Sequence, residues 1–186
     1  MEATLANAGV VESAYGGVLR RLGAYTLDCG LLLIGLVVLQ AILFVVNPLI
    51  PILSRGLQPA PTQLHLWVFA TATIPFLLYF ALTLRSYRQA TVGMRLLKLK
   101  VADVSGGRIG FGQSLLRSAV MLIPLELNHA VVFHLAPRNA PPPPAFFVGI
   151  ATVWAVIAVY IATMLLTRRR QSAHDLVART VVQRVD

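Results

Sequence analysis

Apolar residues along the chain fall in long unbroken blocks, not at the three-to-four-residue spacing of a half-buried helix. The helices they predict are apolar on all sides, as a lipid environment requires. Four blocks reach the length needed to cross a hydrocarbon core, about 20 helical residues. The first runs from about Leu22 to Val46 with Asp28 as its only charge, and the second, Leu66 to Leu84, is uncharged and opens beside Trp67. The third, about Ser118 to Ala136, carries Glu126 and is interrupted by Pro124, Asn128, His129 and His134, while the fourth, Ala145 to Thr167, is uncharged. The pattern predicts an all-α membrane protein of about four transmembrane helices.

Between the second and third blocks the period changes. Leu97, Leu99 and Val101 alternate with Lys98 and Lys100, which reads as a strand with one wet face. Ser105, Gly106 and Gly107 supply turn chemistry, and Arg108 to Phe111 is the first choice for a returning partner strand. Thr180 to Val185, rich in β-branched residues, is a candidate to add to this small hairpin. An amphipathic interfacial helix is the competing reading. Prolines 48, 51, 59 and 61 and the run Pro141 to Pro144 mark two irregular connections. Residues 1–16 read as an N-terminal tail, 17–182 as the membrane domain with a loop at 85–117, and 183–186 as a C-terminal tail.

Composition agrees with the pattern: 57% of the 186 residues are hydrophobic and 12% charged, about half the charge of a soluble protein. The net charge of +9 raises nucleic acid as a partner, and the placement of the basic residues argues against it. Arg20 and Arg21 precede the first span; Arg85, Arg88, Arg95, Lys98, Lys100, Arg108 and Arg117 lie between the second and third; Arg168, Arg169, Arg170, Arg179 and Arg184 follow the fourth. That is fourteen of sixteen, with only Arg55 and Arg138 in the other two loops. The positive-inside rule then puts both termini and the central loop in the cytoplasm, facing anionic headgroups. Glu2 and Glu12 stand where a cleavable signal has basic residues, so the first block reads as a retained anchor. Cys29 is the only cysteine, which leaves no intramolecular disulfide.

Three separated motifs resemble one family. The first is Gly17-Val-Leu-Arg-Arg-Leu-Gly-Ala-Tyr-Thr-Leu-Asp28, the second Thr91-Val-Gly-Met-Arg-Leu-Leu-Lys-Leu-Lys-Val101 with Gly106 or Gly107 and Arg117 after it, and the third Arg170-Gln-Ser-Ala-His-Asp-Leu-Val-Ala-Arg-Thr180. In this order, with apolar spans between them, they resemble the RDD family, named for an arginine and two aspartates. The resemblance identifies these as Arg21, Asp28 and Asp175, and adds Thr91, Gly93, His174 and Thr180 as motif positions. The chain departs from the family pattern at Met94, where lysine is common, and at Leu176 and Arg179, where lysine and glycine are common. Arg179 in the glycine position argues against a left-handed backbone there. The resemblance implies a multi-pass protein of the bacterial inner membrane, with transport as the usual suggestion.

Physically, Arg21 and Asp28 return to one helix face after about two turns, roughly 10 Å apart along the axis. A carboxylate that deep in an apolar span needs a partner inside the bundle. Arg117 is the first candidate for that partner, which leaves Arg21 to meet Asp175 as the tail docks back. These four residues read either as a buried clamp or as part of an ion or proton pathway. Glu126, with Asn128, His129 and a carbonyl freed by Pro124, is a second intramembrane polar site. His174 has no second ligand at metal spacing, and no nucleophile elbow, phosphate loop or paired carboxylates specify a reaction. No enzyme activity, metal or cofactor is expected. Two functions stay open: an accessory or assembly subunit of a larger membrane complex, bound to another membrane protein or to itself, and a small oligomeric ion or proton-coupled transporter using Asp28 and Glu126.

Overall fold

A computed structural model describes residues 15–46, 60–137 and 139–185 of the chain. Most of the N-terminal tail, prolines 48, 51 and 59, Arg55 and Arg138 lie outside the described residues. In chain order the elements are α1 (Val18–Val46), α2 (Pro61–Arg85), α3 (Val92–Leu96), β1 (Leu99–Asp103), α4 (Phe111–Leu135), α5 (Pro144–Leu166), α6 (Ala173–Val177) and β2 (Thr180–Arg184). Helices α1, α2, α4 and α5 are long and apolar enough to cross a membrane. The third span, interrupted in sequence, is the central one, with α2 on one side of α4 and α5 on the other. Helix α1 joins the bundle mainly at its basic end, against α3.

Two prolines lie inside these helices, and each has a local answer. Pro124 has no N–H to give the carbonyl of Val120, four residues back. The hydroxyl of Tyr160 on α5 donates to that carbonyl instead, at 2.6 Å, so α4 continues and gains an interhelical bond. The freed carbonyl therefore ties α4 to α5 and does not line a cavity with Glu126. Ahead of Pro75, α2 changes to a π-helical turn over Phe69–Thr73, in which the N–H of Ile74 reaches the carbonyl of Phe69. Small residues bring the spans close. Ser114 of α4 donates to the carbonyl of Ala81 on α2 at 3.0 Å, and a Cβ on Gly149 of α5 would stand 2.8 Å from the Val131 side chain.

The sheet corrects one expectation. Strand β1 pairs antiparallel with β2, Leu99 opposite Arg184 and Asp103 opposite Thr180, and Arg108–Phe111 forms no strand. The turn at Gly106 (φ 90°) leaves only Arg108, Ile109 and Gly110 before Phe111 opens α4, too short a run for a ladder. Among the described residues the C-terminal segment is therefore the strand partner of β1, and Gln183 and Arg184, placed in the terminal tail by sequence, belong to it. The strand also begins later than the alternating residues suggest, because α3 takes Val92–Leu96 and Lys98 (φ 54°) turns the chain into β1. Tyr15 bridges Gln183 on the far edge of β2. A compact apolar core of Ala24, Leu84, Met94, Leu99, Val101, Ile109 and Val182 fills the space between this sheet and the basic ends of the spans. Met94, where the family commonly has lysine, is part of that core.

Arg179 overturns a second expectation. It sits at the turn before β2 with φ 51°, in the left-handed region, because α6 must reverse at once into the strand. A non-glycine residue there costs about 1 kcal/mol or more, and the side chain is exposed. Replacing Arg179 with Gly is expected to stabilise the protein by about 1 kcal/mol, measured as a shift in the denaturant midpoint of the detergent-solubilised chain; no shift or a loss would contradict this origin of the strain.

Candidate functional site

The polar residues of the spans gather in three groups. At the basic end, Asp175 on α6 is fully buried between two arginines that come from different spans. Arg21 of α1 donates from Nη1 to Oδ2 at 3.0 Å and Arg117 of α4 from Nε to Oδ1 at 2.9 Å. Thr180 Oγ1 at 3.1 Å and the backbone N–H of Ser172 at 3.2 Å complete the carboxylate. Arg21 spends its remaining donors on the carbonyls of Gly16, 3.0 Å, and Val182, 3.2 Å. One side chain thus fastens the start of α1, the tail helix and β2.

Beside this ion triad, the Tyr25 hydroxyl lies 3.4 Å from Arg117 Nη2 and 3.1 Å from His174 Nε2. The hydroxyl accepts from the arginine and shares a hydrogen bond with the His174 ring, whose tautomer sets its direction. Burial, with Arg117 and Arg21 nearby, pushes the His174 pKa down to about 3 against the pull of Asp175. For Asp175 burial is the largest single influence and acts upward, yet Arg117, His174, Arg21 and the Ser172 N–H together hold its pKa down to about 2. Among the described residues, Arg117 Nη1 and His174 Nδ1 are buried without a hydrogen-bond partner.

The second group is centred on Asp28, also fully buried. Its expected partner, Arg117, is taken by Asp175. Three neutral donors serve it instead: Tyr79 Oη of α2 at 2.7 Å, Thr91 Oγ1 at 2.5 Å and the backbone N–H of Gly93 at 2.8 Å. Thr91 also accepts from the N–H of Met94 at 3.1 Å, capping α3. The glycine is required by space, since a Cβ at residue 93 would stand 2.2 Å from the carbonyl oxygen of Ala24. Thr91 and Gly93 together let the first turn of α3 approach Asp28 inside α1, where the Gly93 N–H reaches the carboxyl.

These two groups unite Arg21, Asp28, Thr91, Gly93, Arg117, His174, Asp175 and Thr180 of the sequence motifs. The comparison with protein families matches residues 15–179 to the RDD family. This chain belongs to the RDD family. No curated protein and no solved structure matches it. The RDD residues form two adjacent knots, Arg21–Asp175–Arg117 and Asp28–Thr91–Gly93, where the sequence suggested one clamp of four.

The third group lies outside the RDD motifs, about 14 Å further along α4 than Arg117 by helical rise. Glu126 accepts from Thr73 in the π-helical turn of α2, lies 3.1 Å from His129 Nδ1 and 3.4 Å from His65 Nε2. His65 Nδ1 in turn lies 3.1 Å from His134 Nε2. Asn128, expected here with Glu126 and His129, is not among the hydrogen-bonded members. Among the described residues no three or more His, Cys, Asp or Glu side chains are arranged to hold a metal ion.

Sequence reasoning missed Tyr25, Tyr79, His65, His134 and Thr73 as members of these groups, and Tyr160 as the donor to the Val120 carbonyl. The tyrosines carried a signal, because a buried phenol hydroxyl in an apolar span needs a partner that phenylalanine would not. Tyr25 also falls four residues after Arg21, on the same face.

Two outcomes are expected. Replacing Asp175 with Asn leaves two buried arginines without a counter-charge and should cost about 3 to 5 kcal/mol of stability; a loss below about 1 kcal/mol in denaturant unfolding would refute the ion-triad account. For His174 the folded pKa lies below the ordinary 6.5, so the unfolded chain takes up a proton first. Stability should fall by about 1.4 kcal/mol per pH unit once the pH drops below about 6.5, with Asp175 adding to the loss only below about 4. In His174→Gln the slope between pH 6.5 and 4 should be smaller by that amount, and an unchanged slope in pH-dependent melting would contradict it.

Proposed function

We propose that this RDD protein is a non-catalytic accessory or assembly subunit of a larger membrane complex, placed in the bacterial inner membrane with both termini in the cytoplasm. What carries this reading is the separation of its polar groups. The RDD knots at the basic end use their charges within the chain, and Glu126 and its histidines lie nearer the other end. Between them α2 offers Ile74 to Leu78 and α4 offers Leu122 and Ile123, and no side-chain hydrogen bond joins the two sets among the described residues. A single chain of this build has a tightly hydrogen-bonded anchor at one end and, among the described residues, no hydrogen-bonded route across.

The outer faces of α1 and α5 favour lateral association. Trp154 stands in the middle of α5, 65% exposed, away from the interfacial belts where tryptophan normally sits and typical of a contact that another protein covers. A second reading, a small oligomeric proton-coupled transporter, draws on the Glu126–His65–His134 chain alone.

Purification in mild detergent separates the readings. Stoichiometric recovery of a different membrane protein is expected, with Trp154→Ala lowering that recovery about tenfold or more while the chain itself stays monodisperse. A homo-oligomer that moves protons in liposomes, and stops when Glu126 is replaced by Gln, would overturn the accessory reading in favour of the second.

A further inference from the structure

Helices α1 and α5 do not pack along one another, and the crevice between them, beside Met121 of α4, has two adjoining parts. Toward the middle of the membrane it is an apolar slot of about 200 Å³, walled by Leu22, Met121, Ile157 and Ile161 and floored by Tyr25 and His174. Toward the basic end, past Met164, it opens into a mouth of about 260 Å³ lined by Val18, Leu166, Thr167, Arg168 and Arg170. Met164 belongs to both.

The order of the two parts matters. An apolar slot inside the bilayer that continues into a basic mouth at its edge follows the order of tail and headgroup in a phospholipid. The floor suits a hydrocarbon occupant, because Tyr25 Oη meets His174 Nε2 and Arg117, His174 Nδ1 is buried, and His174 stays uncharged at neutral pH. At the rim, Arg168 is exposed and stands where a phosphate would lie, and basic pockets between helices are suited to anionic headgroups.

We propose that the crevice between α1 and α5 binds one anionic phospholipid of the leaflet at the basic end, one acyl chain in the slot and the phosphate at the Arg168–Arg170 mouth. The site is independent of the subunit reading. It gives the fold a lipid wedge between two spans that do not pack along one another, and it uses Arg168, an exposed basic residue outside the RDD knots.

The test is a titration of delipidated full-length chain with phosphatidylglycerol or phosphatidylcholine of equal chain length, followed by native mass spectrometry. A single-lipid adduct is expected, favoured about tenfold or more for the anionic lipid. The double variant Arg168→Gln, Arg170→Gln should remove that preference, and Ile161→Trp, which fills the slot, should reduce the adduct for both lipids. Ile157→Trp serves the same purpose should the first variant not elute as folded protein. Arg88→Gln, which removes one charge from the central loop, should leave binding unchanged. Equal binding of both lipids, no effect of the slot variants, or an equal effect of Arg88→Gln would overturn the proposal. Displacement of the lipid by inorganic phosphate alone would also overturn it, since the mouth would then be an anion site without the slot.

Discussion

The contact on which the structure most depends is the buried carboxylate of Asp175 between Arg21 and Arg117. Each arginine extends from a span, and the aspartate comes from a five-residue helix near the C-terminus. None of the three can be buried alone, because an uncompensated charge in this environment costs several kcal/mol. Burial is therefore collective: α1, α4 and the tail helix come together or the charges stay wet. The surplus positive charge is spread over the carbonyls of Gly16 and Val182 and the Tyr25 hydroxyl.

Once Asp175 is in place, the neighbouring elements have little freedom. Thr180, five residues on, donates to the same carboxylate and opens β2, which sets the register of β2 against β1. Strand β1 in turn carries α3 close to α1, where Thr91 and Gly93 complete Asp28. The two knots are chemically different. Asp175 is held by opposite charge and Asp28 by neutral donors, one of them a backbone amide that only a glycine lets near enough. Sequence-distant motifs thus meet in one layer, and an apolar core fills the space between that layer and the sheet.

Above this layer the bundle is looser. Apart from α4 and its two neighbours, the spans face lipid, and hydrophobic burial gives them little reason to pack. Polar contacts hold specific points: Gln40 with Thr71 at 3.0 Å, Tyr160 with the carbonyl that Pro124 frees, and the Glu126 group between α2 and α4. A rigid basic end and a sparsely packed membrane part are compatible with a protein that offers its flanks to other molecules, whether lipid or protein.

Four helices apolar enough to span, their approximate limits and most members of the buried polar groups at the basic end were legible in the sequence, because block hydrophobicity and charge placement are local properties. The RDD motifs named Arg21, Asp28, Asp175, Thr91 and Gly93, and Arg21 does reach Asp175. Which acid takes which base was not legible. Asp28 could be matched to Arg117 only by assuming that charge seeks charge, and three neutral donors satisfied it instead. The C-terminal strand was foreseen as a partner in the sheet, but the left-handed Arg179 and the loss of Arg108–Phe111 as the first partner of β1 escaped for a related reason: local propensity ranks conformations, whereas the docking of α6 beneath two spans selects one. Partner choice among buried groups depends on distances between segments far apart in sequence, and only the tertiary structure decides those.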